Sequence, residues 1–256
     1  MSWSSKQYVV FEDERTRPVR DLLNAVLVAD VSTAIDLGCG PGNSTEALIE
    51  RCPTALVSGL DSSEDMIKAA RKRLPQCQFL VQPIESWNGP GAFDLILANA
   101  SLHWVPDHES LLRRLVRLLS DHGSLAVQMP DNLEEPAHRA MLGIAAQQPW
   151  ADKLAHAAGA RTIMASADWY YSLLRPLCRR VDIWRTTYHH PLAGGVDAVV
   201  DWFKGSGLRP FLNPLSTAEQ DLYLARYRAA IAEAYPTLPD GTVLLPFPRL
   251  FIVATR

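Results

Sequence analysis

The run Ala34-Ile35-Asp36-Leu37-Gly38-Cys39-Gly40-Pro41-Gly42-Asn43-Ser44 decides the fold. It reads as a short apolar strand that ends in an acid, then a glycine-rich turn, then the start of a helix. Gly38, Gly40 and Gly42 stand at every second position, where a missing Cβ lets the backbone bend sharply and approach a ligand closely. A second acid, Asp61, closes the next apolar run, Leu56-Val57-Ser58-Gly59-Leu60. In an open α/β sheet, ligands sit in the crevice outside the carboxyl ends of the strands. Two acids at neighbouring strand tips, beside a bare main-chain loop, suit a nucleoside that carries a cation.

A dinucleotide fold is the competing reading. Its fingerprint is G-x-G-x-x-G with an acid about 20 residues on. Asp61 fits that distance, but the third glycine comes one residue early and Asp36 stands before the loop. A pyrophosphate is repelled by that carboxylate, whereas the ammonium and sulfonium of S-adenosylmethionine are attracted to it. A turn whose glycines serve packing alone is the plainer alternative. Against it, acid, loop and second acid occur together at βαβ spacing.

The chain has 256 residues, enough for one large domain or one with an inserted cap. Hydrophobic content of 48 % with 21 % charge is ordinary for a globular protein with a sizeable core. A formal charge of −3 lacks the basic footprint of a nucleic-acid binder. The run Arg113-Arg114-Leu115-Val116-Arg117 is most simply the solvated face of a helix. Cys39, Cys52, Cys77 and Cys178 form no C-x-x-C, which speaks against a disulfide framework, a structural zinc or any other metal site. Reduced thiols suggest the cytoplasm. Met1 to Pro18 holds no apolar leader, and no run of about 18 apolar residues is available to span a membrane.

Along the chain, Trp3, Tyr8 and Phe11 precede a charged stretch, so residues 1–30 read as an arm and a first helix from Pro18 to Val28. Residues 31–130 alternate strand and helix, with a helix over 44–51 capped by Asn43 or Ser44 and another capped by Ser62 or Ser63. The fourth strand, Phe93-Asp94-Leu95-Ile96-Leu97-Ala98, is nearly all apolar, as a buried parallel strand should be. A turn at Asp121-His122-Gly123 precedes a fifth strand over 124–129. Residues 131–180 and 195–240 look helical, and 181–190 and 243–256 carry the final strands, with Pro246 and Pro248 as a lead-in bend. The expectation is a single α/β domain: a doubly wound, mostly parallel, seven-stranded Rossmann-like sheet with a helical cap over the ligand edge.

The run Asp36 to Gly42, with Asp61-Ser62-Ser63 and Asn99-Ala100-Ser101-Leu102-His103-Trp104, resembles the class I S-adenosylmethionine-dependent methyltransferases. Further blocks, Ala126 to Asn132, Val181 to Tyr188, Gly207 to Pro210 and Phe247 to Ala254, resemble the members that methylate trans-aconitate, over almost the whole chain. That resemblance implies S-adenosylmethionine as cofactor, a small tricarboxylate as substrate, and a monomethyl ester with S-adenosylhomocysteine as products. It implies a cofactor site of Asp36, Gly38, Cys39, Gly40, Asp61, Ser62, Met66, Gln82, Ile84, Asn99, Ala100 and Leu102. Many relatives place an adenine-binding acid after the third strand. Here Val81-Gln82-Pro83-Ile84-Glu85 has Pro83 at that position, leaving Gln82 or a backbone carbonyl for the task.

A free carboxylic acid is ionised near pH 7, so its carboxylate needs no general base. His103 beside Trp104 is the one candidate for such a base, and a hydrogen-bonded structural histidine fits it at least as well. A tricarboxylate calls for arginine forks, which bind carboxylates bidentately. The candidates are Arg15, Arg17, Arg185, Arg209 and Arg249, with Tyr8, Trp104, Tyr188 and His189 as donors or walls. A phenol or another small acid as acceptor, a nicotinamide oxidoreductase and a binding module without turnover are the rival functions. No nucleic-acid or membrane partner is expected, and the chain is expected as a monomer or weak homodimer.

Overall fold

The structure, a computed structural model, describes residues 12–157, 159 and 163–256, with the backbone alone over 12–15. Trp3, Tyr8 and Phe11 lie outside the described residues, as does the side chain of Arg15. The first helix, α1 (Glu12–Asn24), starts earlier than the sequence suggests and carries Pro18 inside it. An internal proline removes one helical hydrogen bond. The buried stripe Val19, Leu22, Leu23 and Val26 offsets that loss by packing one face of the chain.

Then follow β1 (Thr33–Leu37), α2 (Asn43–Arg51), β2 (Leu56–Asp61), α3 (Glu64–Arg73), β3 (Gln78–Val81), β4 (Phe93–Asn99), α4 (His108–Arg117) and β5 (Leu119–Pro130). The strands of this half are parallel neighbours in the order β3-β2-β1-β4-β5. The register pairs Asp36 with Gly59 and Leu37 with Leu60, so the tips carrying Asp36 and Asp61 lie side by side. The expected turn at Asp121-His122-Gly123 is instead part of β5. Phe93 pairs Leu119 but Leu95 pairs Ser124, and a bulge between them takes up the extra residues.

The remaining elements are α5 (Pro136–Ala145), α6 (Ala151–Leu154), α7 (Ala167–Leu174), β6 (Arg180–Leu192), α8 (Gly195–Lys204), α9 (Arg209–Leu212), α10 (Thr217–Ala234) and β7 (Val243–Thr255). They complete a seven-stranded sheet ordered β3-β2-β1-β4-β5-β7-β6. β7 runs unbroken through Pro246 and Pro248, where the sequence suggests a bend. Residues two apart in a strand point their amide groups to the same edge, so both missing donors share one edge. There the Pro248 carbonyl still accepts from Asp131 N at 2.9 Å.

Among the described residues two compact units emerge: 12–130 with 164–186 and 250–256, and those of 131–163 with 187–249. In the first, Leu111, Leu112 and Leu115 of α4 share a core with Tyr170, Leu173 and Leu174 of α7 and with Ile35, Ile96 and Leu125 of the sheet. The second is built on Trp202, Tyr223 and Tyr227, all deeply buried; Tyr223 donates to Met141 O at 2.8 Å. Among the described residues no helix is long and apolar enough to cross a membrane.

α7 is tied to the first unit by a buried polar relay. His108 Nε2 lies 2.8 Å from Leu102 O, so it is the donor, and Nδ1 therefore accepts from the Tyr170 hydroxyl at 2.6 Å. Tyr170→Phe strands that ring nitrogen in the core. The expected loss is about 1–3 kcal/mol in urea unfolding. A variant as stable as the wild type refutes the relay's contribution.

Candidate active site

Asp36 is fully buried at 0 % exposure. Ser44 Oγ at 2.6 Å and Thr45 Oγ1 at 2.7 Å both donate to its Oδ2, while Oδ1 is buried and accepts no bond among the described residues. Burial pushes the carboxyl up to about 6; the two hydroxyls pull it down and the charge of Asp61 raises it further. The helix cap expected from Asn43 or Ser44 is absent. α2 begins at Asn43 behind Gly42, whose φ of 98° only a glycine adopts easily, and Ser44 is already inside the helix with its hydroxyl spent on Asp36.

The glycine turn is held by main-chain bonds. Gly38 N and Cys39 N both donate to Leu60 O, at 2.8 and 2.9 Å. Gly38 has φ 74°, and a Cβ there would stand 2.4 Å from Ser101 Cβ. Asp61 binds both flanks: Oδ2 accepts from Gly40 N at 3.0 Å and Oδ1 from Ser63 N at 2.9 Å. Burial raises the Asp61 carboxyl, and those two amides pull it back. Of the two cap candidates, Ser63 caps α3 through Met66 N, leaving Ser62 exposed and Met66 buried. Burial first, then Asp36 and Asp61, drive the Cys39 thiol far up, which favours its protonated form.

Gln82 and Ile84 lie at the next strand tip. Gln82 N donates to Asp61 O at 2.9 Å, and the buried Ile84 brings Cδ1 within 3.5 Å of the position a Gly38 Cβ would take. At the β4 tip, Asn99 Oδ1 is buried without a bond among the described residues, and Ala100 has φ 53°, its N–H donating to Gln128 O at 2.8 Å. A non-glycine residue in that region marks a constrained, often functional turn. Leu102 and His103 are buried, and the His103 ring lies 4.8 Å from the half-buried Trp104 ring. Asn43, with both amide atoms buried and unbonded among the described residues, lines a cavity of about 20 Å³ with Ser44, Asn99 and Gly38. Asn43, Ser44 and Thr45 escaped the sequence reading as site residues. The available signal was three polar residues in the first turn after a glycine loop.

The residues expected to hold the substrate are spread over both units. Arg17 is exposed on α1, 3.9 Å from Asp21, and Arg185 is exposed on β6. In the second unit Tyr188 and Arg249 come together. Both are buried, with the guanidinium 5.8 Å from the Tyr188 ring and 4.6 Å from the Phe247 ring. His190 stacks on both Tyr188 and Trp202, while His189 is exposed. Arg209 is half-buried at the start of α9, where burial pulls its guanidinium below its ordinary range. Among the described residues no group of three or more His, Cys, Asp or Glu could hold a metal.

A family model described as "Methyltransferase domain" matches residues 34–123, the stretch from β1 to β5. The trans-aconitate 2-methyltransferase of Rhodopseudomonas palustris (strain HaA2) is 51 % identical over 254 residues, covering 99 % of both chains. That of Methylobacterium nodulans is 54 % identical over 254 residues, covering 99 % of this chain and 98 % of the relative. The crystal structure of the YcgJ protein from Bacillus subtilis shares the fold at a TM-score of 0.61, with 13 % identity over 94 % of this chain and 98 % of that one. At half identity over nearly their full length, the two curated relatives decide the matter: the chain belongs to the trans-aconitate 2-methyltransferase family.

Proposed function

We propose that the protein transfers a methyl group from S-adenosylmethionine to a carboxylate of trans-aconitate, giving the monomethyl ester and S-adenosylhomocysteine. One observation carries the reading. Asp36 is wholly buried, already bonded at Oδ2, and keeps an unbonded Oδ1 beside a main-chain glycine turn. A buried carboxylate oxygen without a donor is costly until a cation or donor meets it. The ammonium end of an amino-acid nucleoside fits that demand. When bound, S-adenosylmethionine supplies a methyl carbon made electrophilic by its sulfonium.

The chain's own residues do the holding. Each Asp61 oxygen has one amide and a lone pair to spare, enough for two ribose hydroxyls. Met66 and Ile84 bound the nucleobase, with Ser62 and Gln82 at its polar edge. Gly38, Cys39 and Gly40 line the amino-acid end, and Asn99, Ala100 and Leu102 face the sulfur. The acceptor carboxylate is ionised at neutral pH, so His103 has no proton to take and serves as a wall with Trp104. Alignment is then the main contribution, with reacting atoms about 3–3.5 Å apart. Arg249, whose guanidinium lies 4.6 Å from the Phe247 ring and 5.8 Å from the Tyr188 ring, and Arg209 hold carboxylates that do not react. The four cysteines are free thiols, which suits a reducing compartment such as the cytoplasm.

The direct test is incubation with S-adenosylmethionine and trans-aconitate, followed by mass detection of the monomethyl ester. Turnover of a phenol with none of any tricarboxylate refutes the acceptor. Asp36→Asn is expected to weaken S-adenosylhomocysteine binding about tenfold to hundredfold by calorimetry, the range of one charged hydrogen bond. Unchanged binding removes Asp36 from the site. The same variant has a pH signature. A folded carboxyl raised from 3.8 to about 6 contributes stability below its unfolded value and loses it as pH climbs through 6. Asp36→Asn cannot ionise, so without ligand it should gain about 2–3 kcal/mol on the wild type between about pH 4 and pH 7. A constant difference across that range refutes the buried titration. Arg249→Lys keeps the charge but loses the fork. It should raise KM for trans-aconitate about tenfold to hundredfold and leave S-adenosylhomocysteine affinity alone. An unchanged KM takes Arg249 out of the clamp.

A further inference from the structure

Arg114 behaves unlike its neighbours on α4. Arg113 pairs with Glu109 on the same helix at 3.1 Å, an exposed ion pair, and Arg117 is exposed. Arg114 is half-buried and reaches the segment after β3. Its Nη1 donates to Glu85 O at 2.8 Å and its Nη2 to Ile84 O at 2.9 Å. The simple solvated face expected of this arginine run therefore fails at its middle member. A planar guanidinium can take two successive carbonyls at once, which an ammonium, a point charge, does poorly.

The segment that Arg114 grips is anchored by the buried Ile84 and Trp87 side chains, but its own hydrogen bonds are weak. Pro83 has no N–H to give. Ser86 Oγ donates to Pro83 O at 3.3 Å, Gln82 Nε2 to Ser86 O at 3.4 Å, and Trp87 N to Ile84 O at 3.3 Å, all long bonds. The short hydrogen bonds are Gln82 N on Asp61 O at one end and the Arg114 fork at the other. Between them stand the Ile84 side chain, beside the Gly38 turn, and the Gln82 carboxamide, whose Nε2 reaches Ser86 O at 3.4 Å and whose Oε1 is its acceptor.

We propose that Arg114 is a positioning residue for the donor's nucleobase. By clamping the Ile84 and Glu85 carbonyls it sets Ile84 against the base and aims Gln82 Oε1 at an exocyclic amine. This rests on the proposed function, in which ribose lies at Asp61 and the base continues past the β2 tip toward β3. A neutral carboxamide attracts an amine only when well aligned, whereas a carboxylate tolerates misalignment because its charge acts at a distance. A segment that reads adenine without a carboxylate therefore depends on its brace.

The test is calorimetry of S-adenosylhomocysteine and S-inosylhomocysteine, which carries an oxo group in place of the amine, on the wild type, Arg114→Ala and Arg114→Lys. The wild type should prefer the adenosyl compound. Arg114→Ala should bind it about tenfold more weakly and lose most of that preference, with Arg114→Lys in between. In turnover the loss should fall on donor KM rather than kcat. Undiminished affinity and preference in Arg114→Ala overturn the proposal. So does an equal loss for both nucleosides with a reduced kcat, the mark of a general structural role. If Arg114→Ala does not fold, Arg114→Lys decides, and a preference equal to the wild type's overturns it. A wild type that binds neither nucleoside overturns the proposed function itself.

Discussion

A carboxylate shut away from water governs the layout of the first unit. Ionised Asp36 is tolerable only because two hydroxyls, Ser44 and Thr45, reach its Oδ2. For both to reach it, α2 must begin immediately after the glycine turn, and it does, with Gly42 in a left-handed conformation behind its first residue. A serine that could have capped a helix one residue later is drawn inside. Gly38, in turn, must lack a side chain because Ser101 comes up against it, its hydroxyl bonded to Leu37 O at 2.7 Å. The acid, the turn and the β4 tip are thus one packing solution.

Asp61 does two tasks with one group. Its oxygens receive amides from the turn after β1 and from the start of α3, so the carboxylate staples two loops before any ligand arrives. The same bonds leave lone pairs on both oxygens. For the proposed ribose-binding role such an assembly is pre-organised: a ligand would meet groups already held, with little ordering charged against its affinity.

The glycine turn, the two acids and the strand-helix alternation were legible because they follow from local pattern, an apolar run ending in Asp at βαβ spacing. Asn43, Ser44 and Thr45 were not, because a helix-start serine looks the same whether it caps its own helix or serves a carboxylate eight residues back. Arg114 was hidden for a similar reason. In a basic helical run, nothing local tells the arginine that faces water from the one that faces another segment's carbonyls. The Asp121-His122-Gly123 stretch has turn chemistry, yet pairing with β4 outweighs it and turns the excess into a bulge. The proline-bearing β7 misled likewise, since one strand edge tolerates two missing donors when the carbonyls still accept.

In the proposed reading, a donor cradle built from acids and an acceptor that carries carboxylates set a conflict within one enzyme. Two like charges about 4 Å apart at an effective dielectric near 20 repel by about 4 kcal/mol. A cradle and a clamp made from the same few residues would weaken each other. In that reading the chain separates the two tasks along its sequence. Asp36 and Asp61 stand on the early strands of the first unit, while Arg209 and Arg249 belong to the second. The Arg249 guanidinium lies 4.6 Å from the Phe247 ring and 5.8 Å from the Tyr188 ring, contacts that help to hold it in place. An arginine seated in this way can meet an incoming anion with its orientation already set, as a carboxylate-binding fork requires.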